Sequence, residues 1–221
     1  MKLCDRLFNS PVGAKMLMAI TGLMLTGFVI AHLSGNLLIF AGPDAFNAYA
    51  KGLRSLGALL WVARLGLLAA FVLHIYLAIK LSIENRAARP IQYVNEATMQ
   101  ATIASRYMKH TGALMLTFVI YHLAHYTFRV VGNDLENLPK DDVYAMVVAG
   151  FSSPLVSAFY IFSMAAVAMH LRHGVSSLFQ SLGVYHGNIN PMTNKIGPIV
   201  AIITFLGFSS IPLAVLTGLV K

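Results

Sequence analysis

The sequence predicts an all-α integral membrane protein of five transmembrane helices, and three observations carry that prediction. Apolar residues make up 57% of the 221 positions, only 11% are charged, and mean hydropathy is +0.71. A water-soluble globule of this size carries about 25% charged residues. The few charges are also clustered, leaving five long apolar runs, each near the roughly 20 residues a spanning helix needs. Turn-forming pairs punctuate those runs. The chain reads as one transmembrane domain over 1–221, with spans at about 15–40, 58–83, 107–130, 152–179 and 196–219.

The first span could be mistaken for a signal peptide, but its apolar run from Met16 to Leu33 is too long and no small-residue cleavage site follows it. Gly42-Pro43 closes it. Arg89-Pro90 follows the second span, Pro139 the third, and Asn190-Pro191 the fourth, while Ser152-Ser153-Pro154 falls at the start of the fourth. The links are about 15 to 25 residues, so consecutive helices are expected to pack as antiparallel neighbours. No link is long enough to form a soluble catalytic domain.

The 16 Lys and Arg exceed the eight Asp and Glu. They lie in short connections between apolar runs, which is the pattern of cytoplasmic membrane loops and not of nucleic-acid binding. With the N-terminus cytoplasmic, ten of them fall on that side, most densely between Lys80 and Lys109. The opposite side receives six, together with the acidic residues Asp134, Glu136, Asp141 and Asp142. This bias predicts an N-terminus on the cytoplasmic side, the membrane itself being expected to be a bacterial cytoplasmic one. The single cysteine, Cys4, can form no intrachain disulfide and cannot by itself hold a cluster, so any iron–sulfur centre belongs to a partner.

Four histidines fall deep within four different spans: His32, His74, His122 and His170. An ionisable side chain inside a bilayer is expensive and marks a functional site by default. Depth sorts them into pairs. His32 lies about 25 Å beyond Lys15 and His122 about 24 Å beyond Arg106, at 1.5 Å per residue, on two helices that run outward. His74 stands six residues before Lys80, and His170 just before Arg172, on two helices that run inward. Two levels of paired imidazoles suit two haems of b type within the first four spans. The porphyrin supplies four iron ligands and leaves two axial positions, whereas zinc needs three or four converging side chains. Two bis-imidazole irons have no open position, so the chemistry is electron transfer.

An internal echo accompanies the pairing. Thr21–Leu33 and Thr111–Leu123 share seven of 13 residues, including Thr-Gly and a histidine ten residues after the glycine. Gly22 and Gly112 would permit close approach of a backbone or a haem edge, or serve ordinary helix packing. By position alone His125 and His173, each one turn beyond a proposed ligand, compete with His122 and His170. His173 is also suited to a propionate or quinone. His110 and His186 fall at the boundary or in a loop. Quinone or propionate candidates are Lys109, His110, Arg172 and His173 on the inner side, and Asn36, Arg64, His125 and Arg129 on the outer. Basic residues at these depths also serve as interfacial anchors.

Ala-His-Leu-Ser-Gly-Asn (31–36), Leu-His-Ile-Tyr (73–76), Thr-Gly with His122, Phe-Ser-Ser-Pro (151–154) and His-Leu-Arg-His-Gly (170–174) resemble the single-polypeptide, five-helix, di-haem cytochrome b subunit of succinate dehydrogenase and fumarate reductase. The resemblance implies His32 with His122 on the outer haem, and His74 with His170 on the inner. It also implies a flavoprotein bearing FAD and an iron–sulfur subunit on the cytoplasmic face, and electron exchange with a membrane quinone, menaquinone in such di-haem members. Members that move protons across the membrane carry a glutamate two residues before the fourth-span ligand. Here that residue is Ala168, which speaks against that route. Two other readings fit the residues: a di-haem cytochrome b of another respiratory complex, such as a hydrogenase or formate dehydrogenase, and a haem-free transporter or scaffold using buried histidines as proton relays.

Overall fold

The computed structural model describes residues 8, 10–88, 101–132, 135–184 and 190–221, with the side chains of 190 and 191 left out. Cys4, Arg89-Pro90, Asp134 and His186 lie outside the described residues. The described residues form eight α-helices and no strand: α1 (Pro11–Asn36), α2 (Pro43–Ser55), α3 (Ala58–Ala87), α4 (Ile103–Arg106), α5 (Met108–His122), α6 (Val143–Phe151), α7 (Pro154–Ser181) and α8 (Asn190–Leu216).

Four helices are long and apolar enough to cross a membrane: Pro11–Ala41, Ala58–Ala87, Pro154–Ser181 and Met192–Leu216. The protein is a multi-pass integral membrane chain. The remaining predicted span, at 107–130, is built in two parts. Its 15-residue α5 continues into a π-helical segment of five residues, Leu123–Thr127. Outward-facing side chains confirm the solvent these helices were made for. On α3, Leu65, Leu68, Val72, Ile79 and Ile83 are each more than half exposed. A continuous apolar stripe of that kind is a lipid-facing surface.

Local chemistry sets the helix ends. Ser10 caps α1 by accepting from Gly13 N at 3.0 Å, and Pro11 opens the helix, where its missing N–H costs nothing. A 3₁₀ turn over Leu37–Ala41 follows, and Gly42, at φ +96°, reverses the chain into Pro43 at the start of α2. Pro154 opens α7 in the same way, explaining the Ser-Ser-Pro punctuation.

Consecutive spans are neighbours as expected at three of the four junctions, and the second and third are the exception. α1 packs on α3, and α5 on α7, but α3 and α5 share at most marginal contact. The central element is α7, which packs on α1, α5 and most extensively on α8. Its inward residues Ser157, Ser163 and Ala166 are small, and Gly197 of α8 lies against the Arg172 carbonyl and Ser176 of α7. Small residues let helix backbones approach where lipid supplies no hydrophobic drive. The two helix pairs, α1/α3 and α5/α7, are therefore joined through α7, with the α3–α5 side left open.

Two short helices that hydropathy did not predict, α2 and α6, cap the end opposite the start of α1 (the far end). Asn47 ties them together: its amide donates to Asp142 Oδ1 at 3.0 Å and its carbonyl accepts from Tyr144 N at 3.0 Å. Asp142 also accepts from Ala145 N at 2.9 Å as the cap of α6. The Ala145 N–H first, and the Asn47 amide second, hold this carboxyl below the usual carboxylate range. Because its folded pKa is depressed, its contribution is complete above the ordinary carboxylate pKa of about 4 and is lost as pH falls through the lowered value. Asp142→Ala is expected to cost about 1 kcal/mol, the usual worth of a cap. Thermal unfolding in detergent should show the full difference at neutral pH and a smaller one in strong acid, where the protonated carboxyl is a weaker acceptor.

Candidate functional site: two levels of paired histidines

The four histidines on separate helices meet in two pairs. His32 of α1 and His122 of α5 have ring centroids 6.0 Å apart with planes at 83°. His74 of α3 and His170 of α7 stand 6.5 Å apart at 64°. Neither competing histidine makes such a pairing. His125 is fully buried elsewhere, its Nδ1 2.9 Å from the Tyr160 hydroxyl and its ring 4.1 Å from that of Tyr126. His173 is half-buried on α7, and it is the His170 ring, one turn earlier, that meets His74.

Each paired ring also has a polar neighbour at Nδ1. Thr21 Oγ1 lies 3.0 Å from His74 Nδ1 and Thr111 Oγ1 3.3 Å from His170 Nδ1. The Tyr160 hydroxyl lies 3.5 Å from His122 Nδ1, whereas the Asn36 amide nitrogen lies 3.3 Å from His32 Nδ1 and 3.4 Å from its Nε2 and so singles out neither. A ring held at one nitrogen, as at His74, His170 and His122, presents the other to a ligand, which is the arrangement metal-binding imidazoles adopt. Glycines clear the space: a Cβ on Gly22 would lie 3.3 Å from His74 Cε1, and one on Gly112 3.5 Å from His170 Cε1.

The haem implied by the sequence can be tested against this geometry. With a metal–imidazole bond of about 2 Å and roughly 1.1 Å more from nitrogen to ring centre, two imidazoles on one metal would place their centroids about 6.2 Å apart. The observed 6.0 and 6.5 Å bracket that value. The imidazole rings approach one another in twos, and among the described residues no group of three His, Cys, Asp or Glu could hold a metal by itself. Aromatic rings surround the far-end pair: Phe28 stacks on His32 at 5.4 Å, and Phe118 and Phe208 approach His122 and His32 at 5.7 and 5.8 Å. The residues fit the group.

The remaining candidates separate cleanly. Asn36 is committed to His32, donating to its carbonyl at 2.7 Å as well as lying beside its ring. Arg129, at φ +56°, donates to the Leu138 carbonyl at 3.0 Å and closes the turn after the π segment. Arg64 is exposed and lies 5.2 Å from the Trp61 ring centre, an interfacial cation–π contact. Lys109, His110 and Arg172 are exposed at the end where α1 begins (the near end), with His173 half-buried beside them in sequence. There Met108 of α5 touches Gly174 of α7.

Sequence reasoning missed Thr21, Thr111 and Tyr160 as partners of the paired rings. The repeated Thr-Gly is legible as part of the internal echo, but no role for the threonine hydroxyl follows from it. The π segment was also missed. An extra residue in the turn re-aims side chains and recurs at functional sites. Here it covers the stretch in which His125 and Tyr126 turn inward to Tyr160.

Fold and site together define a multi-pass, all-helical membrane protein with buried, paired imidazoles. A family model described as the succinate dehydrogenase/fumarate reductase transmembrane subunit matches residues 83–209, more than half of the chain. The chain belongs to that family. His122 and His170 fall within the matched stretch, while His32 and His74 precede it. No curated protein and no solved structure matches the chain.

Proposed function

We propose that this chain is the five-span, di-haem cytochrome b anchor of a succinate:quinone oxidoreductase, with α5 and its π segment as the fifth crossing. The observation that carries the reading is the meeting of four histidines from four helices as two pairs, 6.0 and 6.5 Å apart. His74 and His170 would hold the inner haem b, and His32 and His122 the outer. A haem held by such a pair would supply one-electron transfer. The chain does the rest. Thr21, Thr111 and Tyr160 orient His74, His170 and His122, Asn36 packs beside His32, and the apolar bundle keeps water from the rings.

The basic bias of the near end supports a cytoplasmic N-terminus and docking there of the iron–sulfur and flavoprotein subunits. Quinone contact falls to the near-end group Lys109, His110, Arg172 and His173. Asn36, Arg129 and His125 are engaged within the protein. Surrounding lipid supplies the quinone, of which menaquinone is the form expected.

The test is purification of the complex from membranes, with a dithionite-reduced spectrum, a pyridine haemochrome assay and analysis of co-purifying cofactors. Two haems b per chain, with flavin and iron–sulfur clusters in partner subunits, is the expected result. A nickel or molybdenum partner would move the chain to another respiratory complex, and absence of a b-type α band would remove the cytochrome reading.

The glycines supply a second expectation. Gly22→Ala puts a Cβ 3.3 Å from His74 Cε1, tight enough that the ring must give by a few tenths of an ångström. Gly112→Ala makes an ordinary contact at 3.5 Å. Gly22→Ala should alter the α band of one haem, and Gly112→Ala should leave both bands as they were.

A further inference from the structure

We propose that Thr21 and Thr111 are positioning residues that hold His74 and His170 with Nδ1 protonated, leaving Nε2 of both rings as the free lone pair. The inference rests on the cytochrome reading and deepens it. A neutral imidazole carries its proton on either nitrogen, and only the unprotonated one can bind iron. Each threonine hydroxyl has one proton and two lone pairs. Thr21 Oγ1 lies 2.9 Å from the Leu17 carbonyl and 3.0 Å from that of Met18. Thr111 Oγ1 lies 3.2 and 3.0 Å from the Tyr107 and Met108 carbonyls.

Oxygens that close repel unless a proton lies between them, so each hydroxyl donates back to its own helix. Its lone pairs then face Nδ1 of the histidine on the adjacent helix. The contact closes only if that nitrogen bears hydrogen. Both threonines are buried, at 5% and 4% exposure, so water does not compete. The adjoining Gly22 keeps a methyl group, which would stand 3.3 Å from His74 Cε1, out of the tighter of the two contacts. The arrangement occurs twice, on helix pairs α1/α3 and α5/α7, and both copies act on the same histidine pair.

The far-end pair is held differently. Tyr160 is shared with His125, and Asn36 approaches His32 with an amide that already donates to a carbonyl. The threonine effect is therefore confined to one level. An Nδ1–H···O bond also makes the ring a more electron-rich ligand, which favours the ferric state.

The test is potentiometric titration of haem absorbance, with low-temperature EPR of the ferric low-spin signals, on the intact complex. The variants are Thr21→Val, Thr111→Val, Thr21→Ser, Thr111→Ser and, as control, Thr117→Val. Thr117 lies on α5, and its hydroxyl bonds the Ala113 carbonyl. Both buried-site valine variants should raise the midpoint potential of the same one of two centres, shift its EPR signal, and weaken its haem retention by roughly 10–100-fold. The serine variants should restore the wild-type values, and Thr117→Val should move neither centre. Loss of one haem from a valine variant, with its serine counterpart intact, supports the proposal equally. Valine variants that titrate like wild type, valine variants that move different centres, or serine variants that behave like valine would overturn it. Wild-type protein without haem would instead overturn the cytochrome reading itself.

Discussion

Replacing any one of the four paired histidines with alanine is expected to remove one haem of two, and which one is lost reads out the pairing. His74→Ala and His170→Ala should abolish the same spectral component, although their positions lie on α3 and α7. His32→Ala and His122→Ala should abolish the other. The physical basis is that each pair offers two nitrogens across one gap, 6.0 or 6.5 Å between ring centres. Removing one ring leaves an iron with a single protein ligand and a void where the second stood. His125→Ala and His173→Ala should keep both haems. His125→Ala will still destabilise the fold, because it strips the Tyr160 hydroxyl of its 2.9 Å partner in a buried site. Leaving that hydroxyl only the 3.5 Å approach of His122 Nδ1 costs about 1–3 kcal/mol. Haem stoichiometry after detergent purification checks the set, and a variant of His125 that loses a haem while His122→Ala keeps both would reverse the assignment at that level.

Gly132→Ala carries the largest expected cost to the fold. Gly132 sits at φ +107°, where an L residue is strained, and a Cβ there would lie 2.7 Å from His125 Cδ2, 2.8 Å from His125 Nε2 and 3.2 Å from a Leu135 methyl. Neither neighbour can retreat, because His125 and Leu135 are both 0% exposed. Backbone strain of about 1–3 kcal/mol and overpacking of similar size point to a loss of roughly 2–5 kcal/mol. Gly57 and Gly183 provide the comparison. They share the positive φ but have nothing within 4 Å, so alanine there meets the conformational cost alone. Thermal unfolding in a fixed detergent should rank Gly132→Ala well below Gly57→Ala. Equal losses would show that His125 is not locked in place.

Much of this architecture was legible before any coordinates. Spans could be read because lipid demands unbroken apolar runs, and histidine depth could be counted from flanking charges because helical rise is regular. The meeting of His32 with His122 and of His74 with His170 is the geometry that counting anticipated. Other features had weaker signals. α2 was marked by Pro43 at its start, Asp44 in its first turn and Arg54 in its last, but it lay in what hydropathy treats as a loop. The separation of α3 from α5 depends on which helix faces carry small residues, and span order does not encode that. The roles of Thr21 and Thr111 depend on side-chain bonds across helices, set by rotations of each helix that no local pattern specifies.

Thr21 stands eleven residues before His32, and Thr111 eleven before His122. Eleven residues complete about three turns and climb roughly 16 Å, so both groups emerge along one strip of helix surface. Each of α1 and α5 thus serves two storeys, bracing a ring on the lower one and supplying a ring to the upper. That interval works as a ruler. A single residue inserted between Gly22 and His32 would swing the upper ring by about 100° while leaving the apolar character of the helix untouched. The storeys would lose alignment without any loss of insertion into the bilayer.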